Sequence, residues 1–168
     1  MNESNLKKIT IIIPCLNASK TISKTLESLR DQTNKSFECI VMDGNSSDGT
    51  QSIVKEYHDI VDIFISEEDE SGADSCNKAI KLASGELIIF LYADDFLHKT
   101  AINDIILAND KDVNADYISY GLQVQDLNTE KIILRSFLKK NLSSDLKNAC
   151  FKHVLNHAYK KKLFYEIG

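Results

Sequence analysis

The sequence predicts an α/β fold with a mainly parallel central sheet, and two observations support that prediction. Apolar, often β-branched runs alternate with segments of helical periodicity through the first half of the chain. This alternation is typical of strand–helix–strand units, whose strands lie parallel in one sheet with helices on its faces. Carboxylates also follow directly after two of the predicted strands, at the edge where open α/β sheets bind ligands.

The first predicted strand covers residues 9–13, a continuous β-branched run of the kind that parallel sheets bury on both faces. Pro14 is expected to end it, because proline cannot donate a hydrogen bond to a neighbouring strand. A helix is predicted to follow, through about residue 30. Ser19 or Thr21 can cap this helix, and its apolar residues recur at a spacing of three to four.

The remaining elements follow the same two patterns, with Ser, Asp and Gly between them. In the first half they are a strand at 37–42, a helix at 50–57, a strand at 62–66, a helix at 73–83 and a strand at 87–91. An acidic segment at 67–70 is predicted to be an exposed loop. In the second half, a helix at 98–108 precedes extended stretches at 116–120, 122–126 and 131–136, which we expect to be antiparallel strands.

Bulk composition narrows the class of protein. A chain of 168 residues is expected to form a single domain, residues 1–168. Its net charge of −5 disfavours nucleic-acid binding, because proteins of that class usually carry a basic patch. We find no signal-peptide pattern and no apolar stretch near the ~18 residues of a membrane span, so a cytoplasmic location is expected. The four scattered cysteines contain no C-x-x-C pair and are expected to be buried thiols.

Asp94 and Asp95 directly follow the strand at 87–91, and two interpretations of them are open. At a strand end, a carboxylate pair can hold a divalent cation against a phosphate, since Mg²⁺ and Mn²⁺ often take only one or two protein carboxylates. Alternatively, the two residues are the N-cap and first-turn acid of the helix predicted at 98–108.

Asp43 stands in the same position after the strand at 37–42. It is either an acceptor for a base N–H or a ribose hydroxyl, or an acid that stabilises a turn. Asp74, Asn77 and Lys78 share the start of one predicted helix, whose N-terminus favours anions, so Lys78 could meet a phosphate. The alternative at this helix is a capped, solvated first turn.

Other motifs are weaker or missing. His153 and His157 have the spacing of two metal ligands on one helix face, but they lack the Glu of the zinc-protease pattern, so a structural or acceptor-side role is favoured. The lysine run at 160–162 is expected to be a solvated face, with a weak attraction to anionic lipid as the alternative. The sequence contains no G-x-x-x-x-G-K-S/T, G-x-G-x-x-G or G-x-S-x-G motif, which disfavours P-loop, Rossmann and hydrolase sites.

The order of these segments resembles that of the family 2 glycosyltransferases, over about residues 8–168. The resemblance rests on residues 11–17, 41–50, 74–79, 83–86 and 92–95, of which 41–50 is the most diagnostic. It implies the GT-A fold, a three-layer α/β sandwich with a mainly parallel central sheet. It also implies metal-dependent, inverting transfer of a sugar from a nucleotide-diphospho-sugar, commonly a UDP-sugar. The acceptor would be a glycan or a lipid-linked molecule in bacterial surface polysaccharide synthesis.

The resemblance also implies roles for individual residues. Pro14 and Asn17 would shape the nucleotide pocket, Asp43 would hydrogen-bond the base, and Asp74 and Asn77 would lie near the ribose or diphosphate. Ala93 and Asp94 belong to the segment that corresponds to the family's Asp-x-Asp motif and would contact the donor. Asp94, together with Asp95, would bind Mn²⁺ or Mg²⁺.

The chain departs from the family pattern in three places. Tyr92 stands where many members carry the first Asp of Asp-x-Asp, and Ala73 replaces an aromatic residue. The family's general base comes from a downstream acidic motif, and we identify no catalytic base before residue 168. We therefore expect the C-terminal acceptor and base region to be missing. A non-catalytic nucleotide-sugar-binding module is the alternative function, and a nucleotidyltransferase is disfavoured because no Gly-rich basic loop follows the first strand.

Two further expectations concern partners and location. The acceptor class suggests that the protein acts at the inner face of the membrane and associates with it peripherally. Apolar surface at the C-terminal edge could support a homodimer.

Overall fold

The computed structural model describes residues 8–119, 122–125, 132–135 and 157–167. Its strands are β1 (Ile9–Cys15), β2 (Phe37–Asp43), β3 (Ile63–Ser66), β4 (Leu87–Phe90), β5 (Tyr117–Ser119), β6 (Leu122–Gln125), β7 (Ile132–Arg135) and β8 (His157–Lys160). Its helices are α1 (Ile22–Arg30), α2 (Thr50–Glu56), α3 (Gly72–Leu82), α4 (Ala101–Lys111) and α5 (Lys162–Ile167). The predicted alternation of strands and helices in the first half is confirmed, with small shifts in the bounds.

The main sheet is mainly parallel, as predicted. Central strand β1 pairs in parallel with β2 and with β4, so that Ile11 lies between Cys39 and Ile89. The full order is β3-β2-β1-β4-β8-β5, in which β8 runs antiparallel to both of its neighbours. Strands β6 and β7 form a separate antiparallel pair, which confirms the expectation for those two stretches.

Helices cover both faces of the sheet, which gives three layers. Ile11 and Ile13 of β1 belong to the apolar cluster that includes α1, α2 and α4, whereas Ile12 belongs to the cluster that includes α3. All three side chains are fully buried, and each such burial contributes roughly 1.5–3 kcal/mol. Strand β1 is therefore fixed from both sides, and so is the position of the loop that leaves its carboxyl end.

Pro14 does not end β1, contrary to the prediction. The strand continues through Cys15, with Pro14 opposite Met42 of β2. Strand β4 pairs with β1 only as far as Phe90, which lies opposite Ile12. Because β4 has ended before this point, the missing N–H of Pro14 interrupts no pairing with β4.

Strand β8 was not predicted, and it corrects the interpretation of the histidines. His157 begins this strand, between β4 and β5, so it does not lie on a helix face. His153 lies outside the described residues. The rings of His157, Tyr117 and Tyr159 pack side by side, with centroids 5.3–6.2 Å apart. These contacts favour the structural role over a metal site.

The lysine run also differs from its prediction. Lys160 is buried, and its ammonium group pairs with Glu86. Lys161 donates a hydrogen bond to the carbonyl of Ala83, and Lys162 is exposed with its ammonium group 3.9 Å from the Asp116 carboxylate. The prediction that this run forms one solvated face is therefore wrong, and its weak attraction to anionic lipid stays a prediction. No helix in the described part of the chain is long and apolar enough to cross a membrane.

A hydrogen-bond network closes the amino-terminal edge of the sheet. The buried Glu38 carboxylate accepts from the Thr10 hydroxyl at 2.6 Å, and from the amide and hydroxyl of Ser84 at 2.8 and 2.9 Å. The Thr10 hydroxyl in turn accepts from the Gly85 amide at 2.9 Å. The network ties β1, β2 and the turn before β4 together, so that the opposite ends of these strands are held in register.

Candidate functional site

A cavity of about 340 Å³ opens at the carboxyl ends of β1 and β4. Its walls come from the end of β1, the loop before α3, the first turns of α3 and the end of β4. Its lining residues include Pro14, Leu16, Asp69, Cys76, Asn77 and Tyr92. This is the edge of the sheet at which the sequence predicted a ligand site.

Asp43 is buried beside this cavity and does not line it. Its carboxylate is 2% exposed and accepts from the Ser46 amide at 2.9 Å, the Ser46 hydroxyl and the Ser66 hydroxyl at 2.7 Å. The Cys15 thiol donates a longer bond at 3.7 Å. Both oxygens are therefore engaged by the protein, and Asp43 organises the loop that follows β2.

Asn17 joins the loops that follow β1 and β2. It adopts a left-handed backbone conformation with a φ of 50°, which asparagine tolerates better than most residues. Its side-chain oxygen accepts from the Ser47 amide at 3.1 Å, and its own amide donates to the Ser46 hydroxyl at 2.7 Å. Asn17 thus fixes the end of the β1 loop against the Asp43 loop.

Asp48 adds a second connection between the same loops. Its carboxylate accepts from the Ser19 amide at 2.9 Å and from the Thr50 amide and hydroxyl at 3.0 and 2.5 Å. These hydrogen bonds, chiefly the one from Thr50, hold the pKa of Asp48 well below its usual range. The bonds to Thr50 lie at the first residue of α2, where a carboxylate is favoured.

Replacing Asp48 with alanine is expected to lower the melting temperature by about 2–4 °C near neutral pH. Because the folded-state pKa is lowered, the contribution is fully present above the ordinary aspartate value of 3.8 and is lost as the pH falls below it. The difference between the thermal melts of the two proteins should therefore stay constant from pH 7 to about pH 4 and begin to narrow as the pH falls to 3, towards the lowered folded-state pKa. Ser47→Ala is the control, since the exposed Ser47 side chain has no hydrogen bond among the described residues. A constant difference at every pH would contradict the charge argument.

Asp94 and Asp95 follow β4 in a tight turn, in which the Asp95 amide donates to the Tyr92 carbonyl at 3.0 Å. Helix α4 begins only at Ala101, with Thr100 at its N-cap, so the helix-capping interpretation of the two acids is wrong. Asp94 is exposed and Asp95 is half-buried. Burial, and then the neighbouring Asp94 charge, raises the pKa of Asp95.

The two carboxylates fit a hard divalent cation. Neither side chain has a hydrogen bond or ion pair within the described residues, so their oxygens are available to a ligand. No group of three or more His, Cys, Asp or Glu residues in the described ranges is placed to hold a metal ion. A pair of carboxylates is nevertheless a sufficient protein contribution for Mg²⁺ or Mn²⁺, whose remaining ligands are usually phosphate oxygens and water.

The other predicted residues divide between the cavity and its surroundings. Pro14 and Asn77 line it, whereas Asp74 and Ala93 do not. Asp74 lies in the first turn of α3, which Ser71 caps, and forms an ion pair with Lys78 at 3.0 Å. Lys78 also bonds to Glu67 at 2.8 Å, and these two carboxylates raise its pKa. Helix α3 thus has the capped, solvated first turn that was the alternative here, and a contact of Asp74 with the donor stays a prediction.

Sequence reasoning missed Asp69 and Cys76, which line the cavity. Asp69 lies in the acidic segment predicted to be exposed, yet it is the half-buried member of that segment, while its acidic neighbours are exposed. No periodicity marks it, because its position depends on how the loop turns into α3. Burial, together with the Asp69 charge, raises the pKa of the Cys76 thiol to about 11, so a neutral thiol faces the cavity at pH 7.

The family model described as Glycosyl transferase family 2 matches residues 10–168. Poly(ribitol-phosphate) beta-N-acetylglucosaminyltransferase TarP of Staphylococcus aureus is 32% identical over 136 residues, which cover 76% of this chain and 41% of TarP. UDP-Glc:alpha-D-GlcNAc-diphosphoundecaprenol beta-1,3-glucosyltransferase WfgD of Escherichia coli is 39% identical over 88 residues, 52% of this chain and 35% of WfgD. The chain thus spans less than half the length of either relative.

The fold is similar to that of solved glycosyltransferase structures. Residues 1–349 of S. aureus TarS in complex with UDP superpose with a TM-score of 0.71 at 25% identity, covering 95% of this chain and 48% of that one. The mannosyltransferase PcManGT from Pyrobaculum calidifontis, in complex with GDP-Man and Mn²⁺, superposes with a TM-score of 0.61 at 24% identity. The superposition covers 67% of this chain and 34% of PcManGT. The fold is therefore the GT-A fold that the sequence resemblance implied.

Proposed function

Because the chain belongs to glycosyl transferase family 2, we propose that it transfers a sugar, with inversion, from a UDP-sugar to a glycan or lipid-linked acceptor. One observation carries the proposal: a cavity lies beside an unengaged carboxylate pair at the carboxyl edge of the sheet. Tyr92 lines the cavity and stands two residues before Asp94. A nucleoside in the cavity would therefore bring its diphosphate within reach of the Asp94 turn.

Four of the predicted residues have a role in this proposal that their environment supports. Pro14 and Asn77 form part of the cavity wall, against which the nucleoside packs. Asn17 and Asp43 hold the two loops beside the cavity in one arrangement, so the pocket is organised before the donor arrives. That Asp43 also bonds the base, and that Asp74 contacts the ribose or diphosphate, remain predictions.

The reacting end of the donor is assigned to the turn after β4. Asp94, with Asp95, would hold Mn²⁺ or Mg²⁺, and Ala93 would contact the donor through the same turn. The cation, when bound, supplies Lewis-acid stabilisation of the charge that develops on the departing diphosphate. By holding the cation, the two carboxylates would position the diphosphate so that the anomeric carbon faces the acceptor. The general base for the acceptor hydroxyl is not assigned.

The acceptor and the cellular setting are proposed from the relatives' names. One relative is named for poly(ribitol-phosphate) and another for a diphosphoundecaprenol-linked sugar. By analogy, we assign this chain to bacterial surface polysaccharide synthesis, on the cytoplasmic side and in peripheral contact with the membrane. Association into a homodimer is part of the same proposal.

Calorimetric titration of UDP, with and without Mn²⁺, tests the donor site. We expect UDP to bind, and to bind more tightly with the cation, because Mn²⁺ would link the diphosphate to the Asp94 turn. GDP and TDP serve as comparison ligands for the base. If none of the three nucleotides binds under either condition, the proposed donor site is wrong.

A second measurement separates the two candidate functions. The chain lacks an identified general base, and Tyr92 stands where many family members have an acid; both observations favour a binding module as the alternative. Release of UDP from a UDP-sugar in the presence of an acceptor would establish the transferase. UDP binding with no turnover for any acceptor would instead favour the non-catalytic module.

A further inference from the structure

Asp69 differs from every other carboxylate near the cavity. It lies in the loop between β3 and α3, is half-buried and lines the cavity. Its neighbours Glu68 and Glu70 in the same acidic segment are exposed and do not line the cavity. The loop therefore turns one acid of this segment toward the enclosed space.

One oxygen of the Asp69 carboxylate is fixed by the protein. Its Oδ2 atom accepts a hydrogen bond from the hydroxyl of Ser75, a residue of α3 that is only 3% exposed. Gly44 lies close behind the same oxygen, since a Cβ atom at Gly44 would stand 3.2 Å from it. The hydrogen bond from the buried Ser75 side chain therefore sets the orientation of the carboxylate.

The other oxygen, Oδ1, has no hydrogen-bond partner among the described residues. Asp43 is the opposite case, because Ser46, Ser66 and Cys15 engage both of its oxygens. A held carboxylate with one free acceptor, in a cavity whose other walls include Pro14 and Phe90, is suited to a single N–H or O–H donor on a ligand.

We infer that Asp69 reads the base of the nucleotide donor by accepting one ring N–H through its Oδ1 atom, and that Ser75 positions it to do so. This inference rests on the proposed function, because it assumes that the cavity receives the nucleoside. It assigns base selection to a residue of the loop before α3, and not only to Asp43 at the end of β2.

The single free oxygen also predicts which base is preferred. The N3–H of uracil stands between two carbonyl groups, so it suits a single acceptor. A second free carboxylate oxygen would lie next to one of these carbonyl oxygens and repel it. Guanine presents a neighbouring ring N–H and amino group, which a carboxylate satisfies best with both oxygens. Because Ser75 occupies one oxygen, Asp69 favours uracil over guanine.

Calorimetric titrations of UDP and GDP, both with Mn²⁺, test this inference on three variants. Asp69→Ala is expected to weaken UDP binding about tenfold or more, since it removes a charged acceptor. Ser75→Ala should free the second oxygen and reduce the ratio of UDP to GDP affinity by about threefold or more, a change that a merely structural role would not produce. Glu70→Ala is the matched control, because it removes the same charge from the same loop outside the cavity.

The outcomes distinguish this inference from the proposed function. If the native chain binds UDP and Asp69→Ala binds it equally well, the role of Asp69 is wrong and the donor site stands. Equal weakening by Glu70→Ala would also overturn the role, because it would indicate a general effect of charge. If the native chain binds neither nucleotide, both the donor site and the inference fail. If Asp69→Ala does not fold, an unchanged UDP to GDP ratio in Ser75→Ala still overturns the inference.

Discussion

Replacing Gly85 with alanine is expected to lower the free energy of unfolding by about 3 kcal/mol or more, the upper range for overpacking a core position. A Cβ atom at this residue would lie 2.6 Å from the Thr10 amide nitrogen and 2.7 Å from the Ile9 carbonyl carbon. Both are backbone atoms of the central strand, so no side chain can move aside to make room. Strand β1 or the turn before β4 must shift instead.

The shift would also disturb the hydrogen bonds at this edge of the sheet. The Gly85 amide donates to the Thr10 hydroxyl, which donates to the buried Glu38 carboxylate. Separating these groups leaves buried polar atoms without partners, which adds to the packing cost. For a chain of 168 residues, we expect the melting temperature to fall by about 6–12 °C.

Urea denaturation of the native chain, Gly85→Ala and Gly72→Ala would measure this effect. Gly72 is the matched control, because no atom lies within 4 Å of a Cβ placed there and its backbone conformation suits alanine. Adding Thr10→Ala to Gly85→Ala should restore little stability, since the two closest contacts are with backbone. A Gly85→Ala protein as stable as Gly72→Ala would refute the close approach of the two segments.

The parallel part of the sheet could be predicted because its signals are local. Each of the first four strands is an apolar run, and each is followed by a helix whose face shows a spacing of three to four residues. Strand β8 gave no such signal. This strand, His157–Lys160, has only four residues and no continuous apolar run. It forms only because β4 and β5 lie on either side of it. Pairing between segments so distant in sequence is set by tertiary structure.

The site was predictable at the level of the sheet edge but not of each side chain. The strand-end acids lie where the fold class places ligand sites, which is a consequence of topology. Whether Asp94 caps a helix depended on where α4 begins, and sequence patterns leave helix starts uncertain by a few residues. Loop conformation decided which acid faces the cavity. Asp69 lies at the cavity surface, whereas the loop that follows β2 buries Asp43 beside it.

The second large effect is expected at Asp94. Replacing it with alanine should remove most of the Mn²⁺-dependent part of UDP binding, a loss of about 100-fold or more in affinity when the cation is present. Asp94 is exposed, lies in the turn after β4 and has no partner of its own among the described residues, so its oxygens are the ones a diphosphate-bound cation can reach. A protein that supplies only one or two carboxylates to a cation loses at least half of its own ligands when the principal one is removed.

The matched experiment compares Asp94→Ala, Asp95→Ala and Asp31→Ala by titration of UDP with and without Mn²⁺. Asp31→Ala removes an exposed acid at the end of α1 and should leave both affinities unchanged. Asp95 is half-buried, and the charge of Asp94 is one cause of its raised pKa, so replacing Asp94 makes Asp95 easier to ionise. Any cation binding that survives in Asp94→Ala should therefore come from Asp95 and disappear in the double replacement. If Asp94→Ala retains the full Mn²⁺ enhancement, the cation does not bind at this turn, and the diphosphate must be held elsewhere on the sheet edge.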